Sequence, residues 1–221
     1  MSIFFTADSH FDHKNIVKYC KRPFTVDYDG VREMNRLIID RWNTTVKPED
    51  TIYHLGDFAF TRKYARILAL LDQLNGTIIL IPGNHDKQRT IDAFKEHPRG
   101  RVITSNYSDA GAFLNIRINK QLITLCHFAM RVWDKSHFGS WHLYGHSHGS
   151  LPDNEYSLST DIGVDRWDFT PVSIEQLQEL FDKRLDSIKN TPTRTDEFLG
   201  GLIQPELIGD TEENWIKRNE E

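Results

Sequence analysis

The chain has 221 residues, 38% of them hydrophobic, enough for one well-packed α/β domain, whereas two full domains would each be small. A formal charge of −5 argues against a non-specific electrostatic binder of nucleic acid, though not against a nuclease whose positive charge comes from bound metal. No apolar stretch approaches the ~20 residues that span a bilayer, and the N-terminus lacks the basic-then-apolar order of a signal peptide, so a cytoplasmic protein without membrane contact is expected.

In chain order, Ile3 to Ala7 reads as a buried strand running into Asp8-Ser9-His10. Cys20 lies in the next segment and Cys126 far beyond it; two distant cysteines do not make a disulfide framework, and Cys126 reads as a small buried strand residue. Lys14, Lys18, Lys21 and Arg22 form a basic cluster, either a solvated helix face or a patch that attracts phosphate. Val31, Met34, Leu37, Ile38 and Trp42 follow a helical period. Thr51 to Leu55 then reads as a strand leading to Gly56-Asp57, with His54 buried inside it. Tyr64, Ile67, Leu68, Leu71 and Leu74 predict a second helix, stopped at Asn75-Gly76. Thr77 to Ile81 is a third strand and leads to Pro82-Gly83-Asn84-His85-Asp86; His97, before Pro98, reads as an exposed loop residue.

In the second half, Leu114, Ile116 and Ile118 alternate with polar residues, and Lys120-Gln121 leads into Leu122 to Cys126, which predicts a hairpin ending at His127. Trp141 to Tyr144 delivers Gly145-His146-Ser147-His148, and residues 161–165 read as strand or turn. Ser173 and Gln176 form a capping box before a helix with Ile174, Leu177, Phe181 and Leu185 on one face. From about Ser187 the composition turns polar, which divides the chain into a domain over 1–186 and an extension over 187–221. The extension reads as an arm packing on the domain or on a second copy, as in a homo-oligomer, with a disordered tail as the alternative.

The order of elements changes from strand-helix to strand-strand halfway along, which predicts an α/β fold of two packed mixed β-sheets flanked by helices. The loops at the carboxyl ends of such strands gather at one edge, where ligands bind. Five polar blocks therefore converge. Asp8, His10, Asp57, Asn84, His127, His146 and His148 are too many donors for one tetrahedral ion, but suit two ions sharing a carboxylate.

The order Asp-x-His, Gly-Asp, Gly-Asn-His-Asp, His, Gly-His-x-His resembles the calcineurin-like binuclear metallophosphoesterase superfamily from about Ile3 to about Val172, and residues 8–16 resemble its small bacterial and phage phosphoesterases. The resemblance implies an αββα sandwich with one metal on Asp8, His10, Asp57 and His148. It implies a second metal on Asp57, Asn84, His127 and His146, with Asp57 bridging, and His85 beside the leaving group as general acid. The implied activity is metal-dependent hydrolysis of a phosphodiester or phosphomonoester by hydroxide activated between two ions, acting on a nucleotide or another small phosphate ester. A nuclease on DNA or RNA is the second reading, and a metal-bearing scaffold without activity the third. Manganese is the first choice on family resemblance, and iron, zinc or nickel is compatible with donors that include no thiolate. Asp86 or another carboxylate is expected to keep His85 protonated. Arg131 as a phosphate fork, Trp133 as a stacking surface and His13 beside the metals are the candidate substrate-binding residues.

Overall fold

The computed structural model describes residues 1–61, 63–104, 112–152 and 154–190. Strand β1 (Ile3–Thr6) is followed by a short helix α1 (Lys14–Tyr19) and the long α2 (Tyr28–Thr45), then β2 (Thr51–His54), α3 (Tyr64–Leu71), β3 (Thr77–Leu80), α4 (Gln88–Glu96) and β4 (Gly100–Val102). Helix α2 begins where the Asp27 carboxylate accepts the Gly30 N–H at 2.8 Å, which satisfies one of the free donors of its first turn. It buries Val31, Met34, Ile38 and Trp42, the face that the sequence period marks. Each of these crossovers returns the chain to a parallel strand: β1, β2, β3 and β4 pair in parallel register, beginning with Ile3 opposite Thr51 and Thr51 opposite Thr77.

The second half opens with the hairpin β5 (Phe113–Ile118) and β6 (Gln121–Cys126). Its two turn residues, Asn119 at φ 48° and Lys120 at φ 71°, are both left-handed, as the tight turn that matches strand twist requires. Strands β7 (Trp141–Tyr144) and β8 (Ser159–Asp161) continue that sheet in parallel. The chain then returns to the first sheet as β9 (Val172–Ser173), antiparallel to β1, and enters α5 (Ile174–Asn190). The sheet orders are β4-β3-β2-β1-β9 and β5-β6-β7-β8, the two mixed sheets expected.

Alternation along β1 shows how the layers are built. Phe4 joins the core beneath the helices with Trp42, Ile52, Ile67 and Phe94, while Phe5 points the other way into the core between the sheets with Leu55, Ile123, Leu125, Trp141 and Leu143. Helix α5 sends Leu177 and Phe181 into that second core, the Phe181 ring 4.7 Å from Trp141, and Ser173 and Gln176 exchange both hydrogen bonds of the capping box. The helix runs through Asn190, past the boundary expected at 186; the rest of the expected arm, 191–221, lies outside the described residues.

Helix α4 has no counterpart in the sequence reading, and it overturns the expectation for His97. That residue caps the end of α4 and is only 5% exposed, with Nε2 3.2 Å from the Asp72 carboxylate.

Candidate metal centre

All five polar blocks lie just beyond strand ends of β1, β2, β3, β6 and β7, and backbone hydrogen bonds tie them together. Asp8 N–H donates to the Gly56 carbonyl and His10 N–H to the Asp57 carbonyl, each at 3.0 Å; Gly145 N–H donates to the His127 carbonyl at 3.0 Å. The His146 N–H reaches Asp8 Oδ2 at 2.8 Å and so joins the two sheets. Asp8, His10, Asp57, His146 and His148 all hold positive φ, between 48° and 65°. Non-glycine residues adopt that region at a cost of roughly 1 kcal/mol or more each, and such strain gathers at functional sites. The glycines around them are there for space. A Cβ on Gly83 would stand 2.3 Å from Asp57 Oδ1, and one on Gly145 2.8 Å from Asp8 Oδ2.

The side chains form two groups. Asp8, His10 and His148 offer ligand atoms within 4.8 Å of one another, and so do Asp57, His127 and His146. Asp57 stands between them, its Oδ2 3.4 Å from His10 Nε2 and 3.5 Å from His127 Nε2. Asn84 Oδ1 lies 3.0 Å from His127 Nε2. The structure thus brings all seven expected donors to one place. His85 sits at the edge: its N–H donates to Asp57 Oδ1 at 2.8 Å, and its Nε2 is 4.0 Å from Asp57 Oδ2.

The donors fit divalent cations on this molecule's own evidence. Asp8 Oδ1 and His10 Nε2 are buried without a hydrogen-bond partner among the described residues, a state that costs about 1–3 kcal/mol per group unless a cation is supplied. Burial pushes the Asp8 carboxyl well up and the His10 imidazole well down, as expected of groups whose neutralising charge would be a metal. His127 Nδ1 faces the Leu55 carbonyl at 2.7 Å and must donate to it, which leaves the Nε2 lone pair facing the Asn84 oxygen. A cation between two acceptors in that position would satisfy both. His148 Nδ1 is held by Asp165 at 2.7 Å in the same manner.

Several supporting residues were not legible as such. Lys14, Lys18 and Lys21 are exposed, but Arg22 is buried, so the solvated face expected for that cluster stops short of it. Its Nε and Nη2 grip Asp165 at 2.8 Å each, Nη2 also donates to the Asp8 carbonyl at 2.7 Å, and Nη1 to the Ser9 carbonyl at 3.1 Å. Asp86 does not serve His85. Its carboxylate accepts the N–H groups of Asp57, Gly83 and Phe58 at 2.7, 2.9 and 3.0 Å, while burial, then the nearby Asp57 charge, pushes it up to about 7. His54 is buried against Ser9 Oγ at 2.8 Å and is held neutral by burial, at about 3.

A cavity of about 440 Å³ opens beside the centre, lined by His10, His13, Asn15, Ile16, Tyr19, Cys20, Asp57, Phe60, His85, His146 and His148. His13 is therefore where it was expected, its Nδ1 3.2 Å from His10 Nδ1 and burial pushing it down to about 4. Arg131 and Trp133 do not line this cavity: Arg131 is exposed, and the Trp133 indole N–H donates to the Ser140 carbonyl at 3.1 Å with its ring 5.4 Å from His142.

The family model of calcineurin-like phosphoesterases matches residues 1–154. An uncharacterized protein of Methanocaldococcus jannaschii is 34% identical over 187 residues, covering 82% of this chain and 92% of that relative. The Gene 66 protein of Mycobacterium phage L5 is 25% identical over 183 residues, covering 74% and 86%. The crystal structure of a protein of unknown function from Aquifex aeolicus superposes with a TM-score of 0.57 at 21% identity, over 81% of this chain and 98% of that one, which shows a shared fold. With the match spanning all five polar blocks, the chain belongs to the calcineurin-like phosphoesterase family and is a metal-dependent hydrolase of phosphoric esters.

Proposed function

We propose that the protein hydrolyses a small phosphodiester, a nucleotide ester above all, with two divalent cations, manganese first among them. Asp8, His10, Asp57 and His148 would hold one, and Asp57, Asn84, His127 and His146 the other. One observation carries this reading: Asp57 Oδ2 lies 3.4 and 3.5 Å from a histidine of either group and 4.0 Å from His85. When bound, a cation pair of this kind polarises the phosphoryl oxygens and makes water nucleophilic near neutral pH.

The chain's own residues supply the rest. Asp57 fixes the spacing of the two groups, and its Oδ1 is held by the His85 N–H, so the shared carboxylate and the general acid are mutually positioned. Water oxygen bonds to phosphorus as one of its protons passes to solvent, the ester P–O bond breaks, and the departing alkoxide takes a proton from His85, which solvent then replaces, giving an alcohol and a phosphate monoester. Asp57 is the carboxylate facing the His85 ring. His13 Nδ1 stands 3.2 Å from His10 Nδ1, and by accepting the N–H of His10 there it would leave His10 Nε2 free for metal.

The test is a panel of mono- and diesters, including cyclic nucleotides and single-stranded DNA and RNA, assayed with Mn²⁺ and with chelator. Mn²⁺-dependent diester cleavage that chelator abolishes is expected. Absence of metal-dependent cleavage across the panel would sink the reading.

A further inference from the structure

We infer that the cavity wall formed by α1 and Phe60 is a specificity subsite for a flat, uncharged aromatic group on the leaving alcohol, a nucleobase in a nucleotide diester. This rests on the phosphodiester reading above. Phe60 is half open, 51% exposed, yet it is not loose. Its N–H donates to the Phe11 carbonyl at 2.8 Å, and its ring stacks on His13 with centroids 4.0 Å apart and planes 16° from parallel. The same ring stands 5.7 Å from His85, so the shelf lies on the side where the leaving group departs. An aromatic held in place while still open to solvent is pre-organised to receive another ring.

Helix α1 supplies further lining residues. Asn15 and Tyr19 are four apart on one helix face, Ile16 lies beside them, and all three line the cavity. Tyr19 is 68% exposed and offers a second ring, and the Asn15 amide can both donate to and accept from a base edge. Among the described residues, none that lines the cavity is a lysine or arginine. Arg22, close in sequence, is committed to Asp165 and to the Asp8 and Ser9 carbonyls. A charge-assisted donor beyond the metals would favour a monoester dianion or a second phosphate more than the single charge of a diester. A volume of about 440 Å³ also lies within the range of small-ligand sites. Charge, shape and aromatic lining therefore select the same substrate class.

The experiment compares two dinucleoside diesters that are twins except that the leaving nucleoside of one carries hydrogen in place of its base. The alkoxide and the chemistry are shared, so the ratio of kcat/KM reads the base alone. The Mn²⁺-loaded protein is expected to prefer the base-bearing twin by about tenfold or more, the effect of one base on an aromatic shelf. Phe60→Ala should collapse that ratio to about twofold or less, and Phe60→Tyr should restore it, which separates stacking from damage to the fold. The base-bearing diester should also exceed the matching nucleoside monophosphate by about tenfold or more. Equal rates on the twins would overturn the subsite and leave the diester reading standing. A ratio that survives both Phe60→Ala and Tyr19→Ala would overturn the assignment of these residues. Cleavage of neither twin would overturn the diester reading itself, and the subsite with it.

Discussion

The two halves of the metal centre are built to different standards of enclosure. Asp8 and His10 are buried, and His148 is clamped through Asp165 to the buried Arg22, which also holds the backbone of Asp8 and Ser9. In the other half His127 is buried and oriented by the Leu55 carbonyl, but Asn84 is half-buried and His146 exposed, its ring 4.9 Å from that of Phe128. A site whose donors are held by a second layer binds metal more tightly than one that must gather them. The first half should therefore fill before the second, and the open half should be the one to exchange ligand during turnover.

The hardest blow to this picture is Asp57→Ala, which removes the carboxylate common to both halves. Metal analysis should find both ions lost, and activity should fall by roughly a thousandfold or more, the several kcal/mol of Lewis-acid stabilisation. Asn84→Ala should weaken only the open half. Two ions per chain retained in Asp57→Ala would mean that the halves are independent.

His85→Ala is next. It should keep both metals and slow cleavage of an alkoxide leaving group by roughly 10²–10⁴-fold, with a smaller loss for a nitrophenyl ester that needs no proton. Steady-state rates on the two esters decide the matter, since an equal drop points to charge stabilisation instead. The enclosed half is probed by Asp165→Asn, which should cut metal affinity there by about 10–100-fold and spare the open half. Arg22→Ala leaves Asp165 with His148 as its remaining partner and takes the donor from the Asp8 and Ser9 carbonyls, and should cost about 3 kcal/mol in stability, measured by denaturant unfolding. If both variants bound metal and unfolded as the parent does, the clamp would have no role.

The smallest effect concerns a buried histidine that is not in either half. His142 Nδ1 donates to the Thr124 carbonyl (3.1 Å) and its Nε2 accepts the Met130 N–H (3.0 Å), and burial pushes it from 6.5 down to about 4. Its folded-state value is depressed, so its contribution is complete above pH 6.5 and is lost as pH falls toward about 4. At 1.36 kcal/mol per tenfold the difference amounts to about 3 kcal/mol. His142→Gln should flatten the pH dependence of stability across that window while metal content stays unchanged. An unaltered acid limb would remove His142 from the explanation.

Comparing these residues shows what the sequence discloses and what it withholds. The ligand blocks are local features: an apolar strand-like run followed at once by Asp, His or Asn, and parallel crossovers carry all such ends to one edge. The clamp is not local. Arg22 and Asp165 are 143 residues apart, and nothing in a basic cluster that runs from α1 to Arg22 says which of its members turns inward. Helix α4 escaped because Ile91, Ala93 and Phe94 are too few in a nine-residue helix to set a period. His97 goes with it, since a histidine before proline signals a turn unless the packing of α4 against the end of α3 is known. Arg131 and Trp133 seemed well placed by their position between ligand blocks, but that loop folds back on itself through Ser140. The aromatic shelf is not legible either, because Tyr19 and Phe60 come together only as linings of one cavity.

The central claim is that two ions share Asp57 and act together. Titrating the metal-free protein with Mn²⁺, while following electron paramagnetic resonance and diester hydrolysis on the same samples, tests it directly. The account predicts a first ion without activity, then a second whose binding brings both a spin-coupled pair, roughly 3.5–4 Å apart, and turnover. Full activity with a single uncoupled Mn²⁺ per chain would contradict it.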